Sequence, residues 1–324
     1  MKAVVCQAFG PPESLVVTDL PSPKVSSGQA LVDVKACGVN FPDTLIIEGK
    51  YQFRPEPPFS PGGEVAGVVA EVGEGVTHVK PGDRVVALMP WGGYAEQLVA
   101  DAVRLIPIPD GVSFVQAAAT LTTYGTTYYA LADRANLHKG ETLLVLGAAG
   151  GVGLAAVQLG KLMGARVIAA ASSPEKLETC KANGADLLID YAKEDLKDRV
   201  KALTNGAGAD VVYDPVGGKY SEAALRATAW NGRLLVIGFA AGEIPKIPLN
   251  LTLLKGASII GVFWGQFTMR DPGRALAQFR ELFEWVRDKK LAPHVHATPP
   301  LAEAAAAMRT LLDRKVQGKI VLVV

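Results

Sequence analysis

Thr142-Leu143-Leu144-Val145-Leu146-Gly147-Ala148-Ala149-Gly150-Gly151-Val152-Gly153 is the stretch on which the fold turns. Residues 142–146 form an unbroken apolar run, as expected of a strand buried on both faces of a parallel sheet. Glycines follow, and 152–163 reads as a helix. A pyrophosphate must come close to backbone N–H groups at a helix N-terminus, where the helix dipole favours negative charge. A Cβ at the closest positions would block that approach. The run departs from G-x-G-x-x-G, with Ala148 at the first glycine; one residue earlier it reads Gly147-x-x-Gly150-x-x-Gly153. Gly147, Gly150, Gly151, Val152 and Gly153 are therefore the expected diphosphate contacts. A glycine-rich helix start that merely packs tightly is the competing reading. The strand before and the helix after favour the nucleotide.

Working outward, strands at 166–171, 187–190, 211–214 and 233–238 alternate with helices at 174–183, 196–204 and 220–228. Such alternation predicts an α/β, Rossmann-type, doubly wound parallel sheet. Residues 128–135 have helical character, and 259–264 reads as a further strand. The first 120 or so residues are mostly β, with short runs at 2–7, 15–19, 30–36, 65–72 and 84–88 between Gly and Pro turns. Helices at 272–289 and 301–314 and a strand at 319–324 close the chain. The expected division is 1–122, 123–265 and 266–324, the last returning to the first, so that the nucleotide domain is an insertion.

The tip of the second strand decides the nucleotide. An acid there would hold a ribose 2′-hydroxyl. The sequence instead reads Ala170-Ala171-Ser172-Ser173-Pro174-Glu175-Lys176. Hydroxyls and a cation suit a 2′-phosphate, so NADP is expected over NAD. The same serines also suit a helix N-cap, and the two roles are compatible.

Bulk properties narrow the field. The chain has 324 residues, 49% hydrophobic and 20% charged, with a formal net charge of +1. That balance gives no broad attraction to nucleic acid or anionic membrane. Cys6, Cys37 and Cys180 are too few and too scattered for a disulfide framework or a metal set. The N-terminus lacks a secretory pattern, and the uncharged stretches 111–132 and 142–160 read as buried elements rather than membrane spans. A cytoplasmic, reducing setting is expected.

Several motifs together resemble the medium-chain dehydrogenase/reductase superfamily, in its zinc-free quinone oxidoreductase or zeta-crystallin-like branch. They are Gly38-Val39-Asn40-Phe41-Pro42-Asp43, Pro61-Gly62-Gly63-Glu64-Val65-Ala66-Gly67, Gly82-Asp83-Arg84-Val85, Thr126-Thr127-Tyr128-Tyr129-Ala130-Leu131, the glycine turn and Gly318-Lys319-Ile320-Val321. The resemblance covers essentially the whole chain and implies a mostly β, GroES-like catalytic domain around the Rossmann insertion. Zinc-dependent members place Cys where Asn40 stands and His where Gly63 stands. They also insert a four-cysteine lobe where this chain has only 87–92. Zinc needs three or four convergent ligands; His294 and His296 lack a third, so no metal is expected.

The resemblance further implies that Asn40 and Thr126 lie by the nicotinamide ribose and carboxamide. Lys176 and Tyr191, with Ser172 or Ser173, would contact the adenosine 2′-phosphate. Gly238-Phe239-Ala240 and Phe263-Trp264-Gly265 would line the nicotinamide end, and Lys319 would reach the cofactor from the tail. The three aromatics also suit a core role.

Without a metal, nothing strongly stabilises a simple alkoxide. A quinone or α,β-unsaturated carbonyl delocalises the developing charge, and a hydroxyl or amide donor then suffices. Tyr51 and Asn40 are the catalytic candidates, with Asp43 as orienter or loop anchor, and Trp91, Tyr124 and Tyr128 as pocket walls. An NADPH-dependent reductase of such acceptors is the expectation. An alkenal or enoyl-thioester reductase is the nearest alternative, although a CoA arm would find only Lys50 and Arg54 as loop cations. A non-catalytic NADPH-binding protein is the alternative from another class. The apolar strand within 256–265, ending a sheet, predicts a homodimer joined there.

Overall fold

The computed structural model describes residues 1–324. The chain divides into two units, Met1–Thr122 with Arg280–Val324, and Thr123–Phe279. No helix is long and apolar enough to cross a membrane.

In the second unit six parallel strands lie in the order Leu187–Asp190, Arg166–Ala171, Thr142–Leu146, Ala209–Asp214, Thr228–Val236, Ser258–Gly261. The order reverses direction at Thr142–Leu146, the switch point beyond whose carboxyl ends such sheets bind ligands. Leu143, Leu144, Val145 and Leu146 are fully buried, as their apolar run requires. Helix Gly151–Leu162 lies close over this strand because Gly160 has no side chain. A Cβ there would stand 2.6 Å from Leu143.

Among the elements that differ from the sequence-based reading are three of the second unit. Strand Thr228–Val236 begins five residues before the expected 233, running through Asn231 in the left-handed region at φ 59. The expected helix at 128–135 is a π-helical stretch, Tyr129–Arg134, continuing helix Leu121–Tyr128. The expected strand at 259–264 stops at Gly261, and Trp264–Arg270 is a helix.

The first unit holds a seven-stranded sheet. Strand Gln29–Val39 is its spine, pairing antiparallel with Lys319–Val323, Glu64–Val72 and Gln97–Asp101. Register brings chemistry to one end of this spine. Gly38 stands opposite Glu64, and Val39 opposite Ile320, so Asn40, Glu64 and Lys319 converge from three distant stretches.

Candidate functional site

In the second unit the glycine turn opens a helix whose N-terminal amides suit an anion. Gly147 takes a left-handed φ of 56, and Gly150 caps helix Gly151–Leu162 with no side-chain hydrogen bond. The Gly150 amide is spent on Gly147 O at 3.0 Å. The amides of Gly151, Val152 and Gly153 form the first helical turn, which has no intrahelical acceptor. Gly153 is forced to be bare, since a Cβ there would lie 2.3 Å from Gly147 O. Gly150 is not forced: a Cβ would meet only that oxygen, at 3.4 Å. Its bareness leaves space on the outer side, which suits a bound phosphate.

At the tip of Arg166–Ala171, Ser173 Oγ accepts from the Lys176 amide at 3.3 Å, and Lys176 Nζ lies 3.4 Å from Ser172 Oγ. Tyr191 packs on Tyr220 with ring centroids 4.6 Å apart, and Lys219 Nζ sits 5.2 Å from the Tyr220 centroid. A carboxylate does stand beside this tip, on the neighbouring strand: Asp190 is level with Ala171. Its Oδ1 accepts from the Ala192 amide, and its Oδ2 lies 3.7 Å from Lys193. The sequence gives no hint of this proximity, because the two tips meet only through strand pairing.

Gly238, Phe239 and Ala240 follow strand Thr228–Val236, with Phe239 against Gly217 and the Ala240 amide on Pro215 O at 3.0 Å. Phe263 is half exposed, Trp264 packs on Gly125 and Phe279, and Gly265 lies in the first turn of the Trp264 helix. The Trp264 indole N–H is buried without an acceptor. Thr126 and Tyr128 are half-buried on helix Leu121–Tyr128. Tyr124 is buried and donates to Gln158 Oε1 at 2.9 Å, a place in the core. Asp214 is likewise spent: it accepts from the Val216 and Gly217 amides and from Ser221. Sequence reasoning passed over Thr127, whose Oγ1 lies 2.8 Å from Tyr213 OH and 3.3 Å from Val152 O, bracing the cradle helix.

In the first unit a buried polar network surrounds Asn40. Lys319 Nζ donates to Asn40 Oδ1 at 2.7 Å, Val39 O at 3.0 Å and Glu64 Oε2 at 3.2 Å. Those three bonds use all its donors. Glu64 Oε1 accepts from the Thr122 amide at 2.9 Å. Asp43 Oδ2 accepts from the Asn40 amide at 2.8 Å and from Tyr94 OH at 3.2 Å. Gly38 makes room: a Cβ there would press on Ala118 O at 2.2 Å and Glu64 Oε2 at 2.9 Å. Glu64 and Tyr94 were not picked out as site residues. The available signal was a carboxylate at the start of an apolar run, a group that is buried only when paired.

Burial pushes the Asp43 carboxyl up to about 6, against the pull of the Asn40 amide, Lys319 and Tyr94. Its protonated form therefore suits the fold. That contribution is present below about pH 4 and lost as pH climbs through about 6. Asp43→Asn is expected to be more stable than the parent at pH 8 by about 1–3 kcal/mol, the gap closing toward pH 4. Urea unfolding across that range checks it, and a constant offset at every pH would refute it.

Tyr51 is half-buried, 6.0 Å from Phe53 between ring centroids, and burial, then Asp43, push its hydroxyl above the usual range. Trp91 packs against the apolar core of the first unit. Position 63 admits no side chain at all, since a Cβ would meet Met89 O at 2.6 Å. No group of three or more His, Cys, Asp and Glu side chains is placed to hold a metal ion.

Family models match two stretches. Residues 26–110 fit the alcohol dehydrogenase GroES-like domain, and residues 151–286 fit the zinc-binding dehydrogenase domain. The quinone oxidoreductase-like protein 2 homolog of Nematostella vectensis is 42% identical over 99% of this chain and 88% of its own. A quinone oxidoreductase of Pseudomonas aeruginosa is 36% identical over 99% of each chain. The solved structure of Escherichia coli quinone oxidoreductase complexed with NADPH is 31% identical over the full length of both chains, with a TM-score of 0.91.

Proposed function

The chain belongs to the quinone oxidoreductase family of medium-chain dehydrogenases/reductases, and from that premise we propose that it is an NADPH-dependent reductase of small quinones or α,β-unsaturated carbonyls, working without a metal. The observation that carries this reading is the cradle, with the first-turn amides of Gly151, Val152 and Gly153 lacking any side-chain cap. Ser172, Ser173 and Lys176 supply the hydroxyls and cation that a 2′-phosphate needs. Asp190, the carboxylate level with the end of the second strand, is engaged by Ala192 and Lys193. When bound, the dinucleotide supplies the hydride.

The acceptor class follows from what the first unit lacks. Position 63 has no room for a ligand side chain, and Asn40 is tied to Lys319 and Glu64. Charge on the acceptor must then be spread over the acceptor itself, as in a quinone or enone, with a hydroxyl such as that of Tyr51 beside its oxygen. A CoA thioester has less support. Lys50 pairs with Glu48 at 2.6 Å, and the Arg54 guanidinium lies 5.9 Å from the Phe9 ring centroid.

Purified protein should bind NADPH more tightly than NADH and turn over 9,10-phenanthrenequinone or an alkenal faster than crotonyl-CoA. Tyr51→Phe should lower kcat/KM by about a hundredfold. Binding without turnover on any acceptor, or a clear NADH preference, would overturn the reading.

We place this reaction in the cytoplasm, in a homodimer. Strand Ser258–Gly261 is the sheet edge, and Trp230, Leu249 and Leu253, in neighbouring elements of the same unit, are each more than 70% exposed. An uncovered edge with apolar surroundings pairs readily with a second copy. Light scattering showing only the 34.0 kDa chain at micromolar concentration would count against it.

A further inference from the structure

Hydrogen-bond direction along the open edge of the six-stranded sheet specifies what can cover it. The Val262 amide donates to Val236 O at 3.1 Å, and Val236 stands level with Gly261. In a parallel ladder the backbone groups of alternate residues face the same neighbour. Those of Ser258 and Ile260 therefore face strand Thr228–Val236, and those of Ala257, Ile259 and Gly261 face away from the sheet. Two of the outward groups are already engaged within the second unit. The Ala257 amide donates to Thr252 O at 3.0 Å, and Gly261 O accepts from Arg134 Nε at 3.1 Å. The edge still offers the Ala257 carbonyl, the Ile259 amide and carbonyl, and the Gly261 amide.

Read along the strand, that set runs acceptor, donor with acceptor, donor, and it is complementary to itself turned end for end. Laid antiparallel on a second copy, with the two-fold axis through Ile259, the two Ile259 residues exchange both their bonds. Each Gly261 amide then meets the Ala257 carbonyl of the other copy, and no outward group is left over. A shift of one residue either way halves the ladder. With the axis through Ser258, Ala257 faces Ile259 across the seam, and the Ala257 amides have already been used. With the axis through Ile260, both Ile259 amides aim at a carbonyl that Arg134 holds.

We propose that Arg134 and Thr252 set the register of this edge, so that it accepts a second copy of this chain with the axis through Ile259 and joins the two sheets into one. This rests on the homodimer reading above and adds which residues meet and what keeps them from slipping. Arg134 thereby does for one end of the strand what edge charges do elsewhere, closing part of it to pairing.

Cysteine placed on the strand reads the register, because a residue on the axis faces its own counterpart. Facing Cα atoms of antiparallel strands lie about 4.5–5.5 Å apart, within disulfide reach, while diagonal neighbours lie about 7–8 Å apart. Ser258→Cys, Ile259→Cys and Ile260→Cys each test one axis, and the three native cysteines are buried. Under mild oxidation Ile259→Cys should cross-link at least about tenfold faster than the other two. Arg134→Ala, a change at an exposed residue, releases Gly261 O and restores the full ladder about Ile260. In that background Ile260→Cys should cross-link about tenfold faster than it does beside Arg134. Fastest cross-linking at 258 or 260 with Arg134 in place overturns the proposal, as does an Ile260→Cys rate that Arg134→Ala leaves unchanged. Light scattering separates the two readings. A monomer removes the homodimer itself, whereas a dimer whose strand cysteines never cross-link keeps the homodimer and overturns the register.

Discussion

Gly153→Ala is expected to destroy dinucleotide binding and to weaken the fold, whereas Gly150→Ala should destroy binding alone. The contrast comes from what each new Cβ meets. At 153 it would stand 2.3 Å from Gly147 O and 2.8 Å from the Ala148 backbone, so the turn or the helix must move. Forcing a carbon into packed backbone costs about 1–3 kcal/mol. The displaced amides of Gly151–Gly153 would no longer converge, and NADPH affinity should fall at least about a hundredfold. At 150 the backbone is extended, with φ −76 and ψ 174, and the Cβ would be 3.4 Å from Gly147 O. An alanine fits there in the free protein. A diphosphate lying against that atom would be shut out, with the melting midpoint little changed. Equal affinities for parent and Gly150→Ala would place the diphosphate elsewhere.

Lys319→Met should be the most damaging single change in the first unit. Glu64 has no solvent exposure, and Lys319 is its one cationic partner, at 3.2 Å. Breaking a buried pair from one side leaves an uncompensated charge and costs about 3–5 kcal/mol. Urea unfolding at pH 7.5 should show that loss. Glu64→Gln in the same chain should recover most of it. A Lys319→Met protein as stable as the parent would refute the pairing.

Where local pattern and tertiary demand agree, the sequence was readable. Leu143–Leu146 is apolar because both faces of its strand are covered, and the glycine turn is visible because backbone approach excludes side chains. The start of strand Thr228–Val236 was hidden because Asn231-Gly232 has turn composition, yet sheet pairing carries the chain through it. Trp264 read as a strand residue from its apolar neighbours, but it opens a helix and fills the space left by Gly125. In the site, the cradle and Asn40 were legible from local motifs. The partners of Asn40 were not, because Glu64 and Lys319 reach it through the register of three strands far apart in the chain. Nothing within a short window can show that pairing.

That long reach also sets an order of events during synthesis. Lys319 lies 255 residues after Glu64, beyond the whole of the second unit. As the chain emerges from the ribosome, strand Glu64–Val72 is made early and its carboxylate must wait in water for its cation. The inserted unit can close on itself first, since all its strands are contiguous in sequence. The earlier half is therefore the later to mature, and a ribosome stalled short of residue 319 would display a finished nucleotide fold beside an open, chaperone-accessible sheet.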